Sequence, residues 1–317
     1  MPRLGSSDLE VHPLALGGNT FGWTSDEAES HAVLDAFVEA GGDFVDTADA
    51  YSAWAPGNHG GESETIIGSW LKAGGASRRD AVVIGTKVSQ HPDFAGLGAA
   101  NVAAAADASL ARLQTDRIDL YWAHFDDAET PLEETLGAFH ALQEAGKVRH
   151  VGISNYSADR IREWISIVQR EGWAMPVALQ PHYNLVKRQP FERELAPLAS
   201  AHELGVTPYW SLAAGFLTGK YRTRDDIAGQ ARSSSVEGYF SDEGLAVVAA
   251  LDEIATAHDA SIASVALAWL QHQPTVVAPI ASARTLEQLP DLMAASSIRL
   301  GADELASLET ASAAVPE

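Results

Sequence analysis

The chain contains no cysteine. Disulfides, thiolate nucleophiles and thiolate metal sites are therefore excluded. Positive charge is scarce: 21 lysines and arginines face 43 acids, for a formal charge of −22. Nucleic acid and anionic membrane both need a basic footprint, so neither is expected as a partner. Long apolar runs are missing too, none approaching the roughly 18 residues that span a bilayer. The opening Met1-Pro2-Arg3-Leu4-Gly5 has no apolar stretch of signal-peptide length. A cytoplasmic location is the expectation. The histidines are scattered without ligand spacing, and no metal is expected.

What is present suits a folded protein, 46% apolar and 20% charged over 317 residues. No linker divides the chain, so one domain over 1–317 is expected. Short β-rich apolar runs fall at 14–16, 44–47, 81–87, 118–123, 148–153, 177–180, 206–210 and 276–280. Their near-continuous apolar character fits parallel strands buried on both faces. Helical patterns fill the gaps: Val102, Ala106, Ser109 and Leu113 share one face, as do Leu132, Leu136, Phe139 and Leu142. Thr130-Pro131-Leu132-Glu133 reads as a helix start with threonine as cap, and Gly146 as the residue past that helix's end. Eight strands alternating with helices point to an α/β fold, a (β/α)₈ barrel. Residues 3–11 read as a hairpin covering the N-terminal end of that barrel. The longest irregular stretch, 221–244, is long enough to be a functional or disordered loop.

Four residues sit where apolar strands give out. Asp46 closes Phe44-Val45-Asp46, and Tyr51 follows in the next loop. Lys87 closes the 81–87 run, and His124 follows the 118–123 run. In an α/β barrel such strand ends meet on one rim, where active sites lie. An acid, a phenol, an ammonium and an imidazole together can protonate a carbonyl oxygen. Other motifs fail. Gly96-Leu97-Gly98-Ala99-Ala100-Asn101 lacks the third glycine of a dinucleotide fingerprint, and Gly215-Phe216-Leu217-Thr218-Gly219-Lys220 has too short a spacer for a phosphate loop. His202-Glu203-Leu204-Gly205-Val206 lacks the second histidine of a zinc protease, and Gly152-Ile153-Ser154-Asn155-Tyr156 lacks the last glycine of a nucleophile elbow.

Nearly the whole chain resembles the aldo-keto reductase superfamily. The residues carrying the likeness begin with Asp46-Thr47-Ala48-Asp49-Ala50-Tyr51, Gly61-Glu62-Ser63-Glu64 and Thr86-Lys87. They continue through Asp119-Leu120-Tyr121 ahead of His124, Gly152-Ile153-Ser154-Asn155-Tyr156 and Gln180-Pro181-His182-Tyr183-Asn184. Leu217-Thr218-Gly219-Lys220-Tyr221 and Ala283-Arg284-Thr285-Leu286-Glu287-Gln288 complete it, closest to the bacterial and potassium-channel β-subunit branches. The resemblance implies a barrel holding NADPH across its strand ends and transferring hydride to an aldehyde or ketone. It makes Tyr51 the general acid, Lys87 the cation that acidifies it, Asp46 the partner of Lys87, and His124 a hydrogen-bond donor to the carbonyl oxygen. A free phenol titrates near ~10, so a nearby ammonium is what would suit it to neutral pH.

For the cofactor, the resemblance places Ser154, Asn155 and Gln180 on the carboxamide and Tyr209 on the nicotinamide face. Gly17 and Gly18 would let the backbone approach the ribose. Leu212, Gly215 and Lys220 match the pyrophosphate loop, with Arg232 as a second cation. Ser282, Arg284, Gln288 and Asp291 match the adenosine end, and Arg284 argues for a 2′-phosphate and NADPH. Three departures stand out: Trp210-Ser211 after Tyr209, Ser282 where glycine is frequent, and Leu292 where an amide is usual. Trp23, Trp54, His59 and Tyr239 are expected to line an aromatic, uncharged pocket for a small neutral carbonyl compound or sugar. The other reading, of a different class, is an NADPH-binding sensor or accessory subunit with little turnover.

Overall fold

Strand residues that are apolar on both faces need helices outside and packed side chains inside, and the chain supplies both. The structure, a computed structural model, describes residues 1–229 and 233–316. The barrel strands are β1 (Ala15–Gly17), β2 (Phe44–Asp46), β3 (Val83–Val88), β4 (Ile118–Ala123), β5 (Val148–Ser154), β6 (Ala178–Gln180), β7 (Gly205–Val206) and β8 (Ile280–Ala281), and Gln90–His91 and Phe94–Ala95 form a separate antiparallel pair. The barrel strands pair in parallel in the order β8-β1-β2-β3-β4-β5-β6-β7. A parallel bridge from Val206 to Val276 joins the two edges, with the Val277 N–H donating to the Val206 carbonyl at 2.8 Å. Closure leaves the barrel sheet without an open edge among the described residues. This is the expected (β/α)₈ barrel.

Each of the first five strands is followed by a long helix: α1 (Glu27–Glu39), α2 (Glu62–Asp80), α3 (Ala99–Leu113), α4 (Leu132–Glu144) and α5 (Ala158–Glu171). The logic is plainest in α5. The Ser157 hydroxyl accepts the Arg160 N–H at 3.3 Å at one end, and Gly172, at φ 71°, ends the helix at the other. Ile161, Trp164, Ile165 and Val168 recur at helical spacing and are buried. Each such side chain contributes about 1.5–3 kcal/mol on leaving water. The short α6 (Ala196–Ala201) follows β6; α7 (Ser233–Glu237), α8 (Asp242–Ala257) and α9 (Ile262–Gln271) lie between β7 and β8, and α10 (Leu289–Ala294) and α11 (Ala302–Ala313) close the chain. Among the described residues no helix is long and apolar enough to cross a membrane.

Three local expectations need correction. The seventh and eighth strands are shorter than the runs at 206–210 and 276–280, because Pro208 and Pro279 have no N–H for the ladder. Pro131, not Thr130, caps α4, and the Thr130 hydroxyl donates instead to Asp127 Oδ2 at 2.7 Å. The 221–244 stretch holds a 3₁₀ turn (Arg224–Ile227), α7 and the start of α8.

Strand side chains alternate between the barrel interior and the helices. Phe44, Leu120, Trp122 and Ala178 pack inside with Leu4, Leu9 and Val11 of the N-terminal segment, whereas Val45, Tyr121, Ala123 and Leu179 join the core under the helices. The N-terminal segment is pinned by an antiparallel bridge between Arg3 and Glu10. Asp8 anchors it to β5, accepting from Arg149 at 2.9 Å and contacting His150 Nε2 at 2.6 Å. Apolar side chains thus plug the N-terminal end and leave the other end for polar chemistry.

Candidate active site

The interior pleat that carries Phe44 next presents Asp46, and the same face brings in Lys87 and His124 above Trp122. Lys87 is fully buried and donates to Asp46 Oδ2 at 2.5 Å, to the Thr47 carbonyl at 2.7 Å and to the Tyr51 hydroxyl at 3.0 Å. Three acceptors match its three N–H donors. Burial opposes the ammonium charge, but Asp46 and then Tyr51 outweigh it and raise the lysine above its ordinary range. Gln180 Nε2 donates to the other Asp46 oxygen at 3.0 Å, while the Trp122 indole lies beside that carboxylate outside hydrogen-bond geometry.

The Tyr51 and His124 rings meet edge to face, with centroids 6.2 Å apart. Loss of hydration, and then the Lys87 charge, holds His124 well below its ordinary titration range, so it is neutral at neutral pH. Asn155, at φ 57°, holds this corner together. Its Nδ2 donates to the His124 carbonyl at 2.9 Å and to Ser154 Oγ at 3.0 Å, and its Oδ1 accepts from the Tyr209 hydroxyl at 2.8 Å. Ser154 in turn donates to the Gln180 carbonyl at 2.9 Å.

These groups open onto a cavity of about 930 Å³, within the usual range for small-molecule sites. Asp46, Tyr51, His124, Asn155, Gln180, Tyr209, Trp23 and Trp54 line one part, and Leu212, Gly215, Lys220, Ser282, Arg284, Gln288 and Asp291 continue it. Gly17 is on the wall, where an added Cβ would come within 2.5 Å of Ser282 Oγ. Gly18 and Ser154 stand behind the wall: a Cβ on Gly18 would approach Ser63 Oγ to 2.8 Å, and Ser154 is fully buried. Arg232 lies outside the described residues.

Two aromatic-pocket expectations are corrected. His59 is exposed and off the wall, its N–H donating to Glu62 Oε1 at 2.6 Å because the loop folds back onto the start of α2. Tyr239 is also off the wall, its hydroxyl paired with His182 Nε2 at 2.7 Å. The wall residues that sequence reasoning missed include Asn19, Phe125, His182 and Trp210. Each directly neighbours a residue or motif already singled out, and that proximity was the available signal. Asn19 Oδ1 accepts the Ser282 hydroxyl at 2.6 Å, and Trp210, at φ 53°, is 41% exposed.

A dinucleotide needs close backbone approach at one end and cations for its phosphates. The crowded Gly17 and the left-handed Gly215, whose Cβ would meet Lys220 at 3.2 Å, meet the first need. Lys220 and Arg284 meet the second: both line the cavity, and neither has an ion-pair partner among the described residues. No grouping of metal-ligating side chains occurs among the described residues.

Comparison with known proteins agrees with this geometry. Residues 13–313 match the Aldo/keto reductase family. The chain is 32% identical to Protein tas of Escherichia coli (strain K12), covering 97% of this chain and 96% of that one. It is 34% identical to a probable voltage-gated potassium channel subunit beta of Oryza sativa subsp. japonica, over 93% and 90% of the two chains. The uncharacterized oxidoreductase YrpG of Bacillus subtilis (strain 168) is likewise 34% identical, over 94% and 91%. The chain belongs to the aldo/keto reductase family, and it is an oxidoreductase.

Proposed function

We propose that the protein is an NADPH-dependent reductase of small neutral aldehydes or ketones, sugars included, with Tyr51 as the proton donor. The observation that carries this reading is the Tyr51 hydroxyl 3.0 Å from a buried ammonium that Asp46 keeps charged. NADPH, when bound, supplies the hydride for the carbonyl carbon. The carbonyl π electrons move to oxygen, which takes the Tyr51 proton. Lys87 stabilises the negative charge left on the phenol oxygen, and a positioned acid of this kind is worth roughly 10²–10⁴-fold in rate. Neutral His124 offers an N–H to the same oxygen without adding a charge.

Gln180 and Asn155 would orient the nicotinamide carboxamide, with Ser154 supporting them from behind, and Tyr209 would cover the ring. Lys220 and Arg284 would hold the phosphates. Trp23 and Trp54, in edge contact at 5.6 Å, and the exposed Phe125 and Trp210 give the mouth aromatic faces. Of the charged wall residues, Asp46 is neutralised by Lys87, and Lys220, Arg284, Glu287 and Asp291 belong to the segments assigned to the cofactor. That division favours an uncharged substrate. The test is NADPH oxidation followed with a panel of neutral aldehydes, ketones and sugars. Turnover above background supports the reductase; cofactor binding with no turnover on any member overturns it in favour of a sensor.

A further inference from the structure

Behind β3, on the side away from the cavity, lies a second buried charge cluster. Glu64 of α2 is fully buried and already satisfied, accepting from Thr86 Oγ1 at 2.5 Å and from Arg112 Nε of α3 at 2.7 Å. Asp49, three residues after Asp46, is also fully buried, yet neither carboxyl oxygen has a hydrogen-bond partner among the described residues. The Ala50 amide leans toward it from outside hydrogen-bond geometry. The Asp49 N–H donates to the Lys87 carbonyl at 3.3 Å, so this carboxyl is tied to the strand that carries the ammonium.

An ionised carboxylate without donors is costly inside a protein, and one cation cannot serve two of them. Arg112 is taken by Glu64. We propose that Asp49 is a positioning residue, held as the neutral acid behind β3, whose loss of a proton weakens Tyr51 as an acid and so bounds activity on the alkaline side. The inference rests on the reductase reading. When Tyr51 gives up its proton, negative charge grows beside Lys87; a further carboxylate across the strand opposes that growth. The groups facing Asp49 are Glu64 of α2, Arg112 of α3, Lys87 of β3 and Tyr121 of β4. His91, on the loop after β3, approaches its backbone across Gly60. Burial first, and Glu64 second, push the Asp49 carboxyl up to about 8, against the pull of Arg112 and Lys87.

The experiment compares wild type with Asp49→Asn, which keeps the shape and cannot ionise. The alkaline fall of kcat/KM for NADPH-dependent aldehyde reduction should move up by about one pH unit in the variant, as for two coupled groups reduced to one. Superimposable profiles overturn the proposal. Urea midpoints of the cofactor-free proteins provide a readout independent of turnover. Wild type should lose stability between pH 6.5 and 8.5 and the variant should not; parallel curves overturn the proposal. If the variant does not fold, the infrared carbonyl band of a protonated carboxyl in wild type decides: present at pH 6.5 and gone by pH 9.5 supports it, and absence at pH 6.5 sinks it. Wild type with no turnover on any carbonyl removes the reductase reading and the alkaline-limit claim with it. The urea curves then still report whether Asp49 holds its proton.

Discussion

Tyr51 and Lys87 form a unit in which each residue makes sense only beside the other. A buried ammonium needs acceptors, and the phenol oxygen is one of the three it finds. Removing only the hydroxyl should therefore separate chemistry from binding. Tyr51→Phe is expected to lower kcat for carbonyl reduction by at least about 10²-fold, the usual scale for a positioned acid. NADPH affinity, followed by fluorescence titration, should stay near wild type; undiminished turnover would mean the acid is another group. Arg284 makes a sharper claim about cofactor choice. Its guanidinium is exposed on the wall, and a charged hydrogen bond to a phosphate is worth about 1.5–3 kcal/mol. Arg284→Ala should weaken NADPH by roughly tenfold or more and leave NADH little changed, and equal losses would remove the 2′-phosphate from the argument.

Elements are locked to one another by a few buried polar groups as well as by apolar contact. Asp119 of β4 is the chief one. It accepts from the Ile84 N–H at 2.9 Å and from Arg149 of β5 at 3.0 Å, and it forms an ion pair with Arg79 of α2 at 2.8 Å. It therefore ties two neighbouring strands and a helix to one strand. Asp119→Ala would leave Arg79, which is 7% exposed and otherwise donates only to uncharged oxygens of Thr115, Val82 and Arg117, without its carboxylate. The expected cost is about 3–5 kcal/mol, the range for breaking a buried pair by removing one partner. Chemical denaturation measures it, and a loss below 1 kcal/mol would show the cluster to be well hydrated. This end of the barrel holds the apolar plug of Leu4, Leu9 and Val11, so a surviving variant should keep its cofactor affinity.

For the whole molecule, buried titratable groups shape stability against pH. Burial, then Lys187, lowers His182 to about 4, and His124 is also depressed. Below about 6.5 the unfolded chain takes up protons that the folded histidines refuse, so stability falls as pH drops from 6.5 toward 4. Asp49 has the opposite sign. Its folded carboxyl keeps a proton that the unfolded chain has lost, and stability falls as pH rises until the folded group ionises near 8. Buried His12 is lowered as well and adds to the acid-side loss, whereas Asp43 and Asp46, raised by burial, act with the sign of Asp49. A stability maximum near pH 6.5 is expected, with an alkaline decline of about 2 kcal/mol by pH 8. Urea midpoints across pH 4–9 would show it; a maximum at pH 8 or above contradicts the assignment of either group.

Sequence alone determined the barrel and the residue types at its rim. Strand-length apolar runs separated by amphipathic helices leave few other ways to bury both strand faces, and Asp46, Lys87 and His124 each stand at the end of such a run. Local chemistry also made the Gly146 helix end and the N-terminal turn closed by the Arg3–Glu10 bridge legible, since turn and cap residues act over a few positions. Tertiary structure decided what depends on direction across the barrel wall. It put Ser154 behind the cavity, turned Tyr239 onto His182, and set Phe125 and Trp210 at the mouth. It also sent Thr86 to Glu64 and its neighbour Lys87 to Asp46, on opposite sides of one strand. Successive strand side chains point to opposite faces, and what each meets is set by helices distant in sequence, so spacing along the chain carries no record of it.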